Sequence, residues 1–144
     1  MADSASFKQW EYQSLFSRTP GTSEFVANQN GADDEVFIVV VDAVGKFTGV
    51  AGTVLEKFEA SKASDAKSYS GFALYYADVL NYRSAYVWWM DHPASGLSVG
   101  GSAWGTTSNG TTFKTIPELI TVTVTDTDVA PGTSANIKVT EGVS

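Results

Sequence analysis

Residues 36–41 read Val-Phe-Ile-Val-Val-Val, with Glu35 before them and Asp42 after. A strand with one wet face alternates apolar and polar residues, whereas an unbroken β-branched and aromatic run suits a strand covered on both faces. The stretch is therefore expected to be the central strand of the core. Downstream, Asp42-Ala43-Val44-Gly45-Lys46 places Gly45 for a tight connection. Phe47-Thr48-Gly49-Val50, followed by Thr53 to Glu59 (TVLEKFE), can return as a second strand, so the spacing predicts a hairpin.

Moving toward the N-terminus, Phe7 to Phe16 (FKQWEYQSLF) sets Phe7, Trp10, Leu15 and Phe16 near one helical face after the caps Ser4 and Ser6, which predicts a short amphipathic helix. Thr19-Pro20-Gly21-Thr22-Ser23 breaks it, because proline lacks an N–H and glycine admits positive φ. The segment through Gln29-Asn30-Gly31-Ala32-Asp33-Asp34 is polar and turn-rich.

Toward the C-terminus, Gly71 to Arg83 carries Phe72, Tyr75, Val79 and Tyr82 at helical steps, predicting a second helix that covers a sheet face with them. Ser84 to Met90 (SAYVWWM) reads as an aromatic strand stopped by Asp91-His92-Pro93. Residues 94–112 are mostly Gly, Ser and Thr, and their small apolar area predicts a flexible surface loop. Ile120 to Thr125 alternates strictly and pairs by expectation with Ala135 to Thr140 as a C-terminal β-hairpin. The fold class that follows is α+β (mixed α/β): a sheet with one or two short helices packed on it, in a single domain over 1–144.

Composition narrows the function classes. The chain has 144 residues, 43% of them hydrophobic and 17% charged, which suits one folded domain rather than a disordered segment. Its net charge of −7, with nine Lys and Arg spread singly, repels phosphate backbones and anionic lipid, so neither nucleic acid nor membrane is an expected partner. No apolar run approaches a membrane span of about 18 residues, and the first residues lack the basic start and apolar core of a secretory signal.

Candidate chemistry is sparse. Without cysteine there is no thiolate nucleophile, disulfide or Cys-ligated metal, and with His92 as the sole histidine there is no multi-His site. His92 beside Asp91 reads as a strand-end histidine bonding locally, since no G-x-S-x-G elbow occurs. The acids Asp33-Asp34-Glu35 and Asp126 with Asp128 read as solvated turn residues, because the calcium-loop signature is missing. The glycine-rich segments 49–52 and 96–105 lack the phosphate-loop lysine. No catalytic, metal-binding or cofactor-binding residue is expected, and no enzyme activity.

The stretch Phe16 to Pro93 carries a set of motifs in order: Pro20-Gly21-Thr22-Ser23; Asp34-Glu35 before VFIVVVD; Gly45-Lys46-Phe47-Thr48-Gly49; Thr53 to Phe58; Ser61 to Lys67; Tyr75 to Asn81; and Ser84 to His92. Together they resemble the tail sheath proteins of contractile-tailed bacteriophages, in particular the cyanophage-like branch. The resemblance implies a domain or fragment of a sheath subunit, a structural virion protein made in the host cytoplasm. Its implied partners are other sheath subunits and the tail tube protein, around which the sheath assembles and contracts. Family members are several times longer and their linking arms are not recognisable here, so the isolated chain is expected to be a monomer or small oligomer.

The candidate interface residues are aromatic or strand-borne. Trp88 and Trp89 are adjacent, so a strand would point them to opposite faces and at least one needs cover from a second layer or a neighbour. Trp104, in the Gly/Ser segment, is expected to be the most exposed aromatic, and Ile120, Val122 and Val124 would lie on an edge strand able to pair between chains. A second reading, from a different class, is a carbohydrate-binding or adhesin-like β module that uses the aromatic loops.

Overall fold

The computed structural model describes residues 8–90 and 103–113, together with the backbone of the strands at 119–124 and 137–141. In chain order the elements are a 3-10 turn (Gln13–Leu15), α1 (Glu24–Asn28), β1 (Glu35–Asp42), β2 (Thr53–Ser61), α2 (Tyr76–Arg83), β3 (Leu119–Val124) and β4 (Ile137–Glu141). The strands form one sheet in the order β2-β1-β3-β4, antiparallel between β1 and β2, parallel between β1 and β3, and antiparallel between β3 and β4. The fold is α+β, as the sequence indicates.

β1 is the interior strand that residues 36–41 predict. Its even positions Val36, Ile38 and Val40 pack with Phe58, Tyr76, Val79, Leu80 and Trp104. Its odd positions Phe37, Val39 and Val41 pack with Trp10 and Phe16. Alternation of side chains across the pleat thus feeds two cores from one strand. The hairpin to β2 also forms, with a register shift between Val40 and Val41. Residues 47–50 do not join it, however, but lie in a longer connecting loop over 43–52. Asp42 explains the loop, because its carboxylate accepts hydrogen bonds from the N–H groups of Lys46 (3.0 Å), Phe47 (3.1 Å) and Thr48 (2.9 Å) and from the Thr48 hydroxyl (2.9 Å). Those N–H groups are then unavailable to a β ladder.

Of the helix expected over Phe7 to Phe16, Lys8 and Gln9 are helical, but from Trp10 onward it gives way to successive i→i+3 hydrogen bonds ending in the 3-10 turn, from Gln13 to Trp10, Leu15 to Tyr12 and Phe16 to Gln13. In an α-helix Trp10 and Phe16 would project about 120° apart, whereas tighter turns bring both rings onto one side. Trp10 stacks on Phe16 at 5.7 Å and Phe16 on Phe37 at 4.5 Å, closing the lower core.

α1, which the polar reading of this region does not anticipate, is capped by Ser23, whose hydroxyl accepts from the Val26 N–H. It ends where Asn30 adopts φ 60° and the Gly31 N–H returns to the Val26 carbonyl at 2.9 Å. Gly31 has no room for a side chain, since a Cβ there would lie 2.6 Å from the Ser108 carbonyl oxygen.

α2 starts at Tyr76, later than the Gly71 start expected. Gly71 sits at φ 85° in a turn closed by the Gly71 N–H on the Ser68 carbonyl, and bridges Lys67 to Ala73 and Ser61 to Tyr75 hold the following residues extended. The helix therefore buries Tyr76, Ala77, Val79 and Leu80, while Phe72 and Tyr82, expected inside, are exposed.

Ser84 to Met90 is not a strand. Four of its N–H groups go to side chains: Ala85 to Glu56 (2.8 Å), Tyr86 and Val87 to the Ser84 hydroxyl (3.1 and 3.0 Å), and Trp89 to Asn81 (2.9 Å). Side-chain acceptors that satisfy the backbone remove the drive toward a ladder.

Residues 103–112, expected to belong to a flexible loop, are together with Phe113 an integrated part of the core. Trp104, Ser108 and Phe113 are buried, and the segment is tied down by hydrogen bonds from Gly105 to Lys62, Ser64 to Thr106, Gly110 to Gln29, Ala32 to Thr111 and Phe113 to Ala32. The rest of the expected loop lies outside the described residues. The C-terminal hairpin forms as β3 and β4, but β3 lies between β1 and β4 and is not an edge. A parallel partner distant in sequence leaves no local signature, which is why alternation alone suggested an edge.

Candidate interaction surface

The structure disperses the residues expected at the interface. Trp88 is 65% exposed. Trp89 is half-buried, its indole N–H donating to the Tyr76 hydroxyl at 3.0 Å. Trp104 is a correction: at 6% exposure it packs edge-on against Tyr76 (5.2 Å), with the Lys62 ammonium 5.2 Å from its ring. A Gly/Ser context signals little apolar area in the backbone neighbourhood, but one indole can supply enough burial to anchor the whole segment. Ile120, Val122 and Val124 sit on β3, opposite Ile38, Val40 and Asp42 of β1, so their backbone groups serve an interior strand.

A different apolar group is exposed. Val44, Phe47 and Val50 project from the 43–52 loop at 52%, 50% and 65% exposure, and Phe47 meets Tyr86 edge-on at 5.4 Å. Trp88 and Met90, two and four residues beyond Tyr86, are exposed as well. Asp42 makes this loop a fixed platform. Desolvation pushes its carboxyl up, but the opposing hydrogen bonds from Thr48, Phe47 and Gly45 together hold it below the ordinary carboxylate value.

The acids read as one turn cluster have separate duties. Asp34 is fully buried, not solvated, and accepts from the Ser23 N–H (2.7 Å), the Ser23 hydroxyl (2.8 Å) and the Ser61 hydroxyl. It thereby joins the α1 cap to the end of β2. Glu35 turns the other way and takes a two-pronged ion pair from Arg18, plus the Gly21 N–H at 2.8 Å. Arg18 also reaches Glu59 at 2.9 Å, and its guanidinium is held above its ordinary value first by the hydrogen bond to Glu35. Asp33 contributes backbone, its N–H donating to the Thr22 hydroxyl at 2.9 Å. Among the described residues no three acids or histidines converge as metal ligands. His92, Asp126 and Asp128 lie outside the described residues.

Arg18, Glu35 and Glu59 line a cleft of about 490 Å³ together with Lys67, Ser68 and Tyr69 of a neighbouring turn. The sequence gives no hint of it, because its lining comes from segments as far apart as Arg18 and Leu74. No protein-family model matches the chain, nor does any curated protein or solved structure.

Proposed function

We propose that this chain is a structural domain of a contractile phage tail sheath, packing against other sheath subunits and the tail tube in the virion. The observation that carries the reading is the fixed apolar platform of Val44, Phe47 and Val50 beside Tyr86, within the stretch that bears the sheath-like motifs. Three large apolar side chains held half-exposed or more by a buried carboxylate contribute little to monomer stability, whereas a packed neighbour would cover them. Trp88 and Met90 extend the exposed apolar surface along the chain. A carbohydrate-binding or adhesin-like module using the aromatic loops could not draw on Trp104, since that ring is committed to the core.

Immunogold electron microscopy of phage particles, with antibody raised against this chain, tests the assignment. Label along the tail shaft is the expected outcome. Label confined to the capsid or fibres, or absent from purified particles, overturns it.

A further inference from the structure

The cleft between the Arg18 network and the Tyr69 turn has a chemistry that the sheath reading does not use. Its volume of about 490 Å³ falls inside the roughly 300–1,000 Å³ of small-molecule clefts. Charges nearly cancel within it: Arg18 and Lys67 stand against Glu24, Glu35 and Glu59. A phosphate would meet three carboxylates and a cationic side chain would meet Arg18, so ionic ligands of either sign are opposed.

Three features suit a neutral polyhydroxylated molecule. First, Arg18 and Glu59 hold donor and acceptor side by side, as a sugar hydroxyl requires because it both donates and accepts. A carboxylate offers about four lone-pair sites, so Arg18 does not saturate Glu59, whose side chain remains 45% exposed. Second, the network is already ordered by the double contact of Arg18 with Glu35, which lowers the entropic cost of engaging a ligand. Third, Tyr69 stands fully exposed on the rim, at the tip of a turn fixed by hydrogen bonds from Gly71 and Phe72 to Ser68, where its ring can cover the apolar face of a pyranose.

We propose that this cleft binds a short neutral saccharide, with Arg18 and Glu59 taking ring hydroxyls and Tyr69 stacking on one sugar face. The proposal stands apart from the sheath reading. The test is two-dimensional NMR of the whole chain titrated with maltotriose, cellotriose and chitotriose at millimolar concentration, with a Lys-Gly-Gly tripeptide and inorganic phosphate as charged probes. At least one trisaccharide is expected to shift the Tyr69 ring and Arg18 side-chain signals in a saturable manner. Tyr69→Ala and Glu59→Gln should each weaken that binding about tenfold with the spectrum otherwise folded, while Tyr82→Ala, exposed and outside the cleft lining, leaves it unchanged. Silence of Tyr69 and Arg18 toward all three sugars overturns the proposal, as does a stronger response to the tripeptide or to phosphate.

Discussion

The Asp65 carboxylate accepts hydrogen bonds from both the N–H (2.8 Å) and the hydroxyl (2.9 Å) of Ser108, which lies 43 residues further along the chain. Ser108 is fully buried, so these bonds decide whether a polar segment can sit in the core at all. With Trp104 on one side and Phe113 on the other, the pair converts a Gly/Ser-rich stretch into a structural strap.

Asp65→Ala should therefore destabilise the domain by about 1–3 kcal/mol, the cost of leaving a buried donor without its partner. Urea unfolding measures it. Proteolytic cutting should rise within 103–113 in the variant, and an unchanged urea midpoint would show the strap to be dispensable.

Ile38→Asp should abolish folding. Ile38 is 1% exposed amid Phe58, Tyr76 and Val79, and an unpaired carboxylate there costs well over the few kcal/mol that hold a small domain together. Circular dichroism would read the loss directly, and a cooperative thermal transition in the variant would contradict the interior position of β1.

Two glycines separate steric crowding from backbone strain. At Gly31 an added Cβ would press on backbone oxygens of Ser108 and Thr111 at 2.6 and 2.9 Å, so Gly31→Ala should cost about 1–3 kcal/mol by overpacking. Gly110 has open space but φ 67°, so Gly110→Ala should cost only about 1 kcal/mol. Chemical denaturation of both variants checks the order, and equal costs would refute the crowding at Gly31.

Asp42 predicts part of the acid response. Its folded carboxyl lies below the ordinary value of about 3.9, so the unfolded chain takes up the proton first as pH falls. The stabilising contribution is complete above that value and is lost as pH drops through the lower folded value. Asp42→Asn should accordingly flatten the decline of the urea midpoint below about pH 4. Parallel declines in the two proteins would count against the hydrogen-bonded carboxylate as the cause.

What the sequence by itself determined is the part governed by local pattern. The unbroken run at Val36 to Val41 demanded cover on both faces, the turn chemistry after it set an antiparallel return, and the alternation near Ile120 marked a strand. These follow from side-chain periodicity, which a chain carries wherever it goes. Tertiary structure decided everything that depended on a partner far along the chain. Glu56, Ser84 and Asn81 captured N–H groups of a segment with good strand composition, Asp42 took those that would have extended β2, and β1 gave β3 an inner place in the sheet. The same holds for the candidate sites: Trp104 was buried by Tyr76 and Lys62, and the cleft arose where Arg18 met Glu35 and Glu59. Hydrogen-bonding capacity and aromatic area are written in a residue's identity, but which group satisfies them is settled only when distant segments are brought within reach.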